Sequence, residues 1–108
     1  MALGRAGEDA VVRWYQARGY RVVARNWRHG RGELDLVVTD GRVLVVCEVK
    51  TRTSVAYGSG LEAVTADKQR QVRTLGSAFL RARQWRGAVR FDVASVVGGR
   101  IEVVQDAF

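Results

Sequence analysis

The chain has 108 residues, 18 of them Lys or Arg against 11 Asp or Glu, for a formal net charge of +7 and a pI near 10.7. With 47% hydrophobic and 27% charged residues, it reads as one globular domain over 1–108 and not as an apolar-poor disordered tail. The longest apolar run, Val43 to Cys47, falls far short of the ~20 residues that span a bilayer. Glu8 and Asp9 stand where a signal peptide needs apolar residues, and the single cysteine, Cys47, closes no internal disulfide and builds no zinc ribbon. A cytoplasmic location without a membrane partner is the expectation.

Ala6, Ala10, Val11, Trp14 and Ala17 recur at helical spacing between Arg5 and Arg18, and Gly19 follows as a stop, which predicts an amphipathic first helix. Tyr20 to Trp27 carries strand-forming Tyr20, Val22, Val23 and Trp27, and an Arg–Gly loop over 28–32 comes next. Glu33 to Thr39 and Arg42 to Thr51 read as two strands joined by a tight Asp40-Gly41 turn. The segment from Arg52 to Ala63 reads as a loop. Thr65 then caps a second helix that runs to about Trp85, with Asp67 in its first turn, a buried stripe of Val72, Leu75, Phe79 and Leu80, and Gly87 as its end. Val89 to Val97 and Arg100 to Val104 are strands joined by Gly98-Gly99. The order α-β-β-β-α-β-β predicts an α/β domain, a mixed β-sheet flanked by helices in which the crossover helix joins parallel strands.

The first of these hairpins concentrates charge. A two-residue Asp40-Gly41 turn sets Glu33 opposite Glu48, Asp35 opposite Val46 and Arg31 opposite Lys50, all on one face. The other face is then Leu34, Leu36 and Val38 against Val43, Val45, Cys47 and Val49, an apolar surface with Cys47 as core filler. Carboxylates across a strand pair repel, and one set within the Val43–Val49 run carries a desolvation cost. A hard divalent cation compensates for both, because magnesium accepts one or two carboxylates and keeps its remaining water ligands. Asp35 and Glu48 are diagonal neighbours in this register and can share one ion, while Lys50 points to the same face and can orient water or steady charge on a phosphate. The competing reading is an ordinary ion-pair network in which Lys50 and Arg31 neutralise the acids.

A pI this high on a small domain fits a polyanion partner, nucleic acid first, although an arginine-rich surface accounts for part of the charge without any partner. Only Lys50 and Lys68 of the 18 basic residues are lysines, and lysine is the compact, readily perturbed cation where arginine is a planar fork. Of the tryptophans, Trp14 and Trp85 fit core positions, and Trp27 beside the Arg–Gly loop is the candidate to stack on a base. His29, the only histidine, reads as a polar loop residue.

Gly32-Glu33-Leu34-Asp35-Leu36 followed by Val46-Cys47-Glu48-Val49-Lys50-Thr51-Arg52 resembles the PD-(D/E)xK nuclease signature, an acid on one strand and E-x-K on the next. With Gly4-Arg5-Ala6-Gly7-Glu8, Arg25-Asn26-Trp27-Arg28, Glu62-Ala63-Val64-Thr65 and Lys68-Gln69, nearly the whole chain resembles the YraN-like family of small bacterial proteins. The resemblance implies a restriction-endonuclease-like fold, Asp35 and Glu48 as metal-binding acids and Lys50 as the catalytic lysine. It also implies that Glu8 is a first-helix acid brought to the metal, and that Lys68 and Gln69 are polar positions at the start of the helix after E-x-K. Cys47 departs from the apolar residue common at its position.

These readings converge on a magnesium-dependent nuclease acting on DNA, with manganese able to substitute and with selectivity for structure, such as branched or flapped DNA, over sequence. The catalytic set is Asp35, Glu48, Lys50 and Glu33, where Glu33 is a third acid, a partner of Lys50 or Arg31, or a plain surface residue. Arg31, Arg52, Lys68, Gln69, Arg70 and Arg73 form the nucleic-acid-binding set, and a homodimer would suit symmetric substrates. The alternative is a non-catalytic nucleic-acid-binding module that keeps the fold, and a protein-interaction scaffold without nucleic-acid affinity comes third.

Overall fold

The computed structural model describes residues 3–52 and 64–108; of the loop expected over 52–63, Arg52 is the last residue of a strand and the rest, with Glu62, lies outside the described residues. The elements are α1 (Leu3–Gln16), β1 (Arg21–His29), β2 (Gly32–Thr39), β3 (Val43–Arg52), α2 (Ala66–Arg83), β4 (Ala88–Val97) and β5 (Arg100–Val104). They form one five-stranded sheet in the order β1-β2-β3-β4-β5. Pairing is antiparallel except between β3 and β4, the strands that the α2 crossover joins. This is the mixed α/β architecture and element order that the sequence predicts. Among the described residues no helix is long and apolar enough to cross a membrane.

Strand alternation divides the core into two layers. Leu36, Val38, Val45, Cys47, Ala94 and Val96 pack under Val11, Val12 and Tyr15 of α1. Val37, Leu44 and Val46 pack on the opposite face against Val72, Leu75 and Phe79 of α2. Leu34 joins this second layer and not the layer of Leu36, contrary to the strict alternation expected of β2. The reason lies in β1, where Asn26 adopts a left-handed φ of 50°. Arg25 opposite Leu36 faces α1 while Trp27 opposite Leu34 packs on Phe79. The strand pair turns over at this point, and Asp35 sits at the turnover.

The β2–β3 connection is longer than a two-residue turn. Thr39 pairs with Leu44, and Leu36 pairs with Cys47 where the tight turn would set it opposite Val45. Asp40 Oδ1 accepts from the Arg42 and Val43 amides at 2.8 and 3.0 Å, and Thr39 Oγ1 accepts from Gly41 N and donates to Val43 O. These two side chains satisfy the backbone of a wider loop. The register therefore slips by two residues, an even number, so the face assignments of β3 survive.

Helix boundaries shift for local reasons. Thr65 is the N-cap of α2 and accepts from Lys68 N, but Gln84 in a left-handed conformation (φ 54°) ends the helix before Gly87. Arg28 and His29 belong to β1, leaving only Gly30-Arg31 as the turn into β2. The buried face of α1 is Gly7, Val11, Val12 and Tyr15, while Ala6 and Ala17 are exposed. Gly98-Gly99 makes the tight β4–β5 turn, both residues with positive φ.

A buried polar knot fastens α1 to β4. Tyr15 Oη donates to Asp92 Oδ2 at 2.6 Å, Arg90 donates to both Asp92 oxygens, and Asp106 N donates to Oδ1. Asp92 is fully buried, and this complete set of donors makes its burial tolerable. Burial and the neighbouring Asp92 push the Tyr15 phenol well above its ordinary range, so it remains a donor.

Candidate nuclease site

The β2–β3 ladder ends at Leu36–Cys47, and beyond it the Asp35 side chain takes over the bonding: Oδ2 accepts from Val49 N at 2.9 Å. A carboxylate thus replaces a strand carbonyl where β2 turns away from β3. The Glu48 side chain projects into this fork toward α2, on the face that Val46 shares. Its burial is nearly complete, 1% exposed. Its Oε1 lies 3.5 Å from Lys68 Nζ, and its Oε2 has no hydrogen-bond partner among the described residues. Burial first, then the charge of Asp35, push its carboxyl up to about 7, against the opposing pull of Lys68 and Lys50. Burial raises Asp35 as well, with the Val49 bond and the charges of Lys50 and Lys68 acting against it and Glu33 acting with it. Two acids and two lysines, the only lysines in the chain, therefore share one electrostatic neighbourhood.

Not every predicted residue joins them. Glu33 pairs with Arg28 of β1, Oε2 to Nε at 3.1 Å, and not with Glu48 across β3. The wider loop and the turnover at Asp35 carry it out of the ladder. Arg31 occupies the β1–β2 turn and is exposed, so it has no place opposite Lys50. Glu8 is held by β1, its Oε2 accepting from Asn26 Nδ2 at 3.3 Å with Arg25 Nη2 3.6 Å from Oε1. Among the described residues no three His, Cys, Asp or Glu side chains converge as a metal cluster; the converging acids are the pair Asp35 and Glu48.

The basic set is similarly divided. Gln69 Nε2 donates to Val64 O at 3.1 Å and secures the entry to α2. Arg70 pairs with Asp67 on the exposed surface of the helix. Arg73 lies over Phe91 at 5.0 Å, with Phe108 stacked behind. Arg52 ends β3. Trp27 is half-buried edge-on to Phe79 and carries His29 stacked parallel on it at 5.4 Å. The contact that sequence reasoning missed is Lys68 with Glu48, 20 positions apart in the chain; the scarcity of lysine was the signal for it.

The chain matches the uncharacterised protein family UPF0102, the YraN family, over residues 7–96. It belongs to that family. A UPF0102 protein of Rhodococcus jostii is 46% identical over 100% of this chain and 97% of its own length. Another, from Symbiobacterium thermophilum, is 46% identical over 98% of this chain and 95% of its own. Among solved structures, Archaeoglobus fulgidus Hjc, a Holliday junction resolvase from an archaeal hyperthermophile, matches with a TM-score of 0.62 at 21% identity. The match covers 95% of this chain and 77% of that one. The UPF0102 chain thus has the restriction-endonuclease-like fold.

Proposed function

We propose that this UPF0102 protein is a divalent-metal-dependent nuclease that hydrolyses phosphodiester bonds in DNA, selecting structure such as branches or flaps over sequence. The observation that carries the reading is the Glu48 carboxylate, buried beside Asp35 with one oxygen that has no partner among the described residues. A buried acid left one donor short costs ~1–3 kcal/mol or more, and a cation ligated there would remove the cost. Glu48 and Asp35 fit magnesium, a hard ion that takes oxygen donors and needs only one or two carboxylates from the protein. The fold shared with a junction resolvase supports the assignment, and the net charge of +7 supports a polyanionic substrate.

Asp35 and Glu48 would hold the metal, which supplies Lewis acidity to the phosphate and to the attacking water. Asp35 is oriented for this by Val49 N–H, which fixes its Oδ2. Lys50 follows Glu48 by two positions on β3 and faces the same side. Its ammonium serves the charge that develops on the phosphate during attack. Arg70, exposed on α2, and Arg31, exposed at the β1–β2 turn, would hold the backbone on either side without reading bases. Glu33, through its ion pair, keeps Arg28 at the same edge.

The test is cleavage of labelled single strands, duplexes, flaps, four-way junctions and RNA with magnesium or manganese, comparing the natural chain with Asp35→Asn and Glu48→Gln. Metal-dependent cleavage lost in both variants supports the assignment and names the preferred structure. Salt-sensitive binding without cleavage, unchanged by either substitution, would replace it with a non-catalytic nucleic-acid-binding module.

A further inference from the structure

We propose that Lys68 is a built-in counter-cation of the acid pair, which an incoming metal displaces and which then serves as a phosphate contact. The inference rests on the metal reading of Asp35 and Glu48 given above. Lys68 Nζ lies 3.5 Å from Glu48 Oε1, while Oε2 has no partner among the described residues, so the ammonium grips one oxygen and leaves the other.

The position of Lys68 is poor for helix stability. It lies in the first turn of α2, its amide bonded to the Thr65 cap, where the helix dipole disfavours a cation. Reach toward Glu48 is what this placement provides. Lysine is also suited to being displaced. An arginine fork grips both carboxylate oxygens at once, whereas a single ammonium on a flexible stem holds one and lets go readily. Sixteen of the 18 basic residues are arginine, and a lysine stands at this place. Its side chain is 33% exposed while Glu48 is 1% exposed, so Lys68 has a route outward that the acid lacks.

A divalent ion drawn to Asp35 and Glu48 competes directly with Nζ for Oε1. The released ammonium turns toward the solvent to which its side chain is already one-third exposed, and a nucleic-acid phosphate satisfies it there. Metal and nucleic acid then bind with positive coupling, each favouring the arrangement the other requires.

Calorimetric titration of the whole chain with Mn2+ alone tests the first half. Lys68→Met should tighten Mn2+ binding about 5-fold or more, the lower end of usual coupling strengths. Lys68→Arg should weaken it, because the fork occupies both oxygens. Glu48→Gln should abolish it. Binding that requires Glu48 yet is unchanged or weakened in Lys68→Met would overturn the counter-cation role and leave the metal reading standing; Mn2+ binding indifferent to Glu48 and Asp35 would remove both.

The salt dependence of binding to a synthetic four-way DNA junction tests the second half, with Ca2+ so that binding is read without turnover. Lys68→Met should lower the logarithmic salt slope by about 0.9, one phosphate contact, in Ca2+ and leave it unchanged in EDTA. An equal loss in both conditions would make Lys68 a fixed phosphate contact and sink the displacement.

Discussion

Replacing Glu48 by glutamine should make the metal-free protein more stable at neutral pH. The carboxyl is pushed from its ordinary 4.5 up to about 7, and at ~1.36 kcal/mol per pH unit the buried charge costs about 3 kcal/mol above that window. The folded state holds a proton here that the unfolded state has already lost. Stability therefore falls as pH rises from about 4.5 to about 7, then levels. The glutamine amide brings N–H donors into the same buried place, which offsets ~1 kcal/mol. About 2 kcal/mol remains, on the order of 10 °C in Tm for a domain of this size. Circular-dichroism melts in EDTA from about pH 4 to about pH 8.5 should show the variant ahead at the alkaline end and the advantage gone at the acid end. Metal should reverse the order, since a ligand at 100 times its Kd adds ~2.7 kcal/mol to the natural chain alone. A variant no more stable than the natural chain at about pH 8, or a Tm difference constant across the range, would refute the reasoning.

Other substitutions probe the frame around the site. Tyr15→Phe removes one of the donors that keep Asp92 satisfied and should cost ~1–3 kcal/mol in urea denaturation without altering metal affinity. A Cβ added at Gly7 would collide with Thr51 Oγ1, so Gly7→Ala should destabilise by ~1–3 kcal/mol, and adding Thr51→Ala should recover most of the loss in the same denaturation curves. Thr65→Ala deletes the cap of α2 and should lower stability by ~1 kcal/mol, with a measurable change in Mn2+ affinity because Lys68 loses its fixed base.

Much of this was legible because local patterns carry local physics. Strand-forming runs on either side of Asp40-Gly41 announced β2 and β3, Thr65 announced the start of α2, and Gly98-Gly99 announced the last hairpin. The E-x-K spacing placed Glu48 and Lys50 on one face whatever the loop did, since strand side chains repeat every two residues. The register was not legible: Asp40 and Thr39 bond the loop backbone in a way that a preference for Asp-Gly turns does not anticipate. Nor was the left-handed Asn26, which turns β1 and β2 over and moves Leu34 and Glu33 away from their expected neighbours. The Tyr15–Asp92 bond joins residues 77 positions apart, and no periodicity reports such a pair.

By itself the sequence determined which segments are helices and strands, their order, and the common face of Glu48 and Lys50, because these follow from contacts among residues a few positions apart. Tertiary structure decided which cation faces which acid. Lys68 reaches Glu48 only because the α2 crossover returns over the sheet between two parallel strands. Asp35 meets Val49 N–H only because the ladder stops one residue before it. The burial that raises Glu48 belongs to no segment alone; it arises where α2 closes over the fork between β2 and β3, excluding the water that would otherwise solvate the acid.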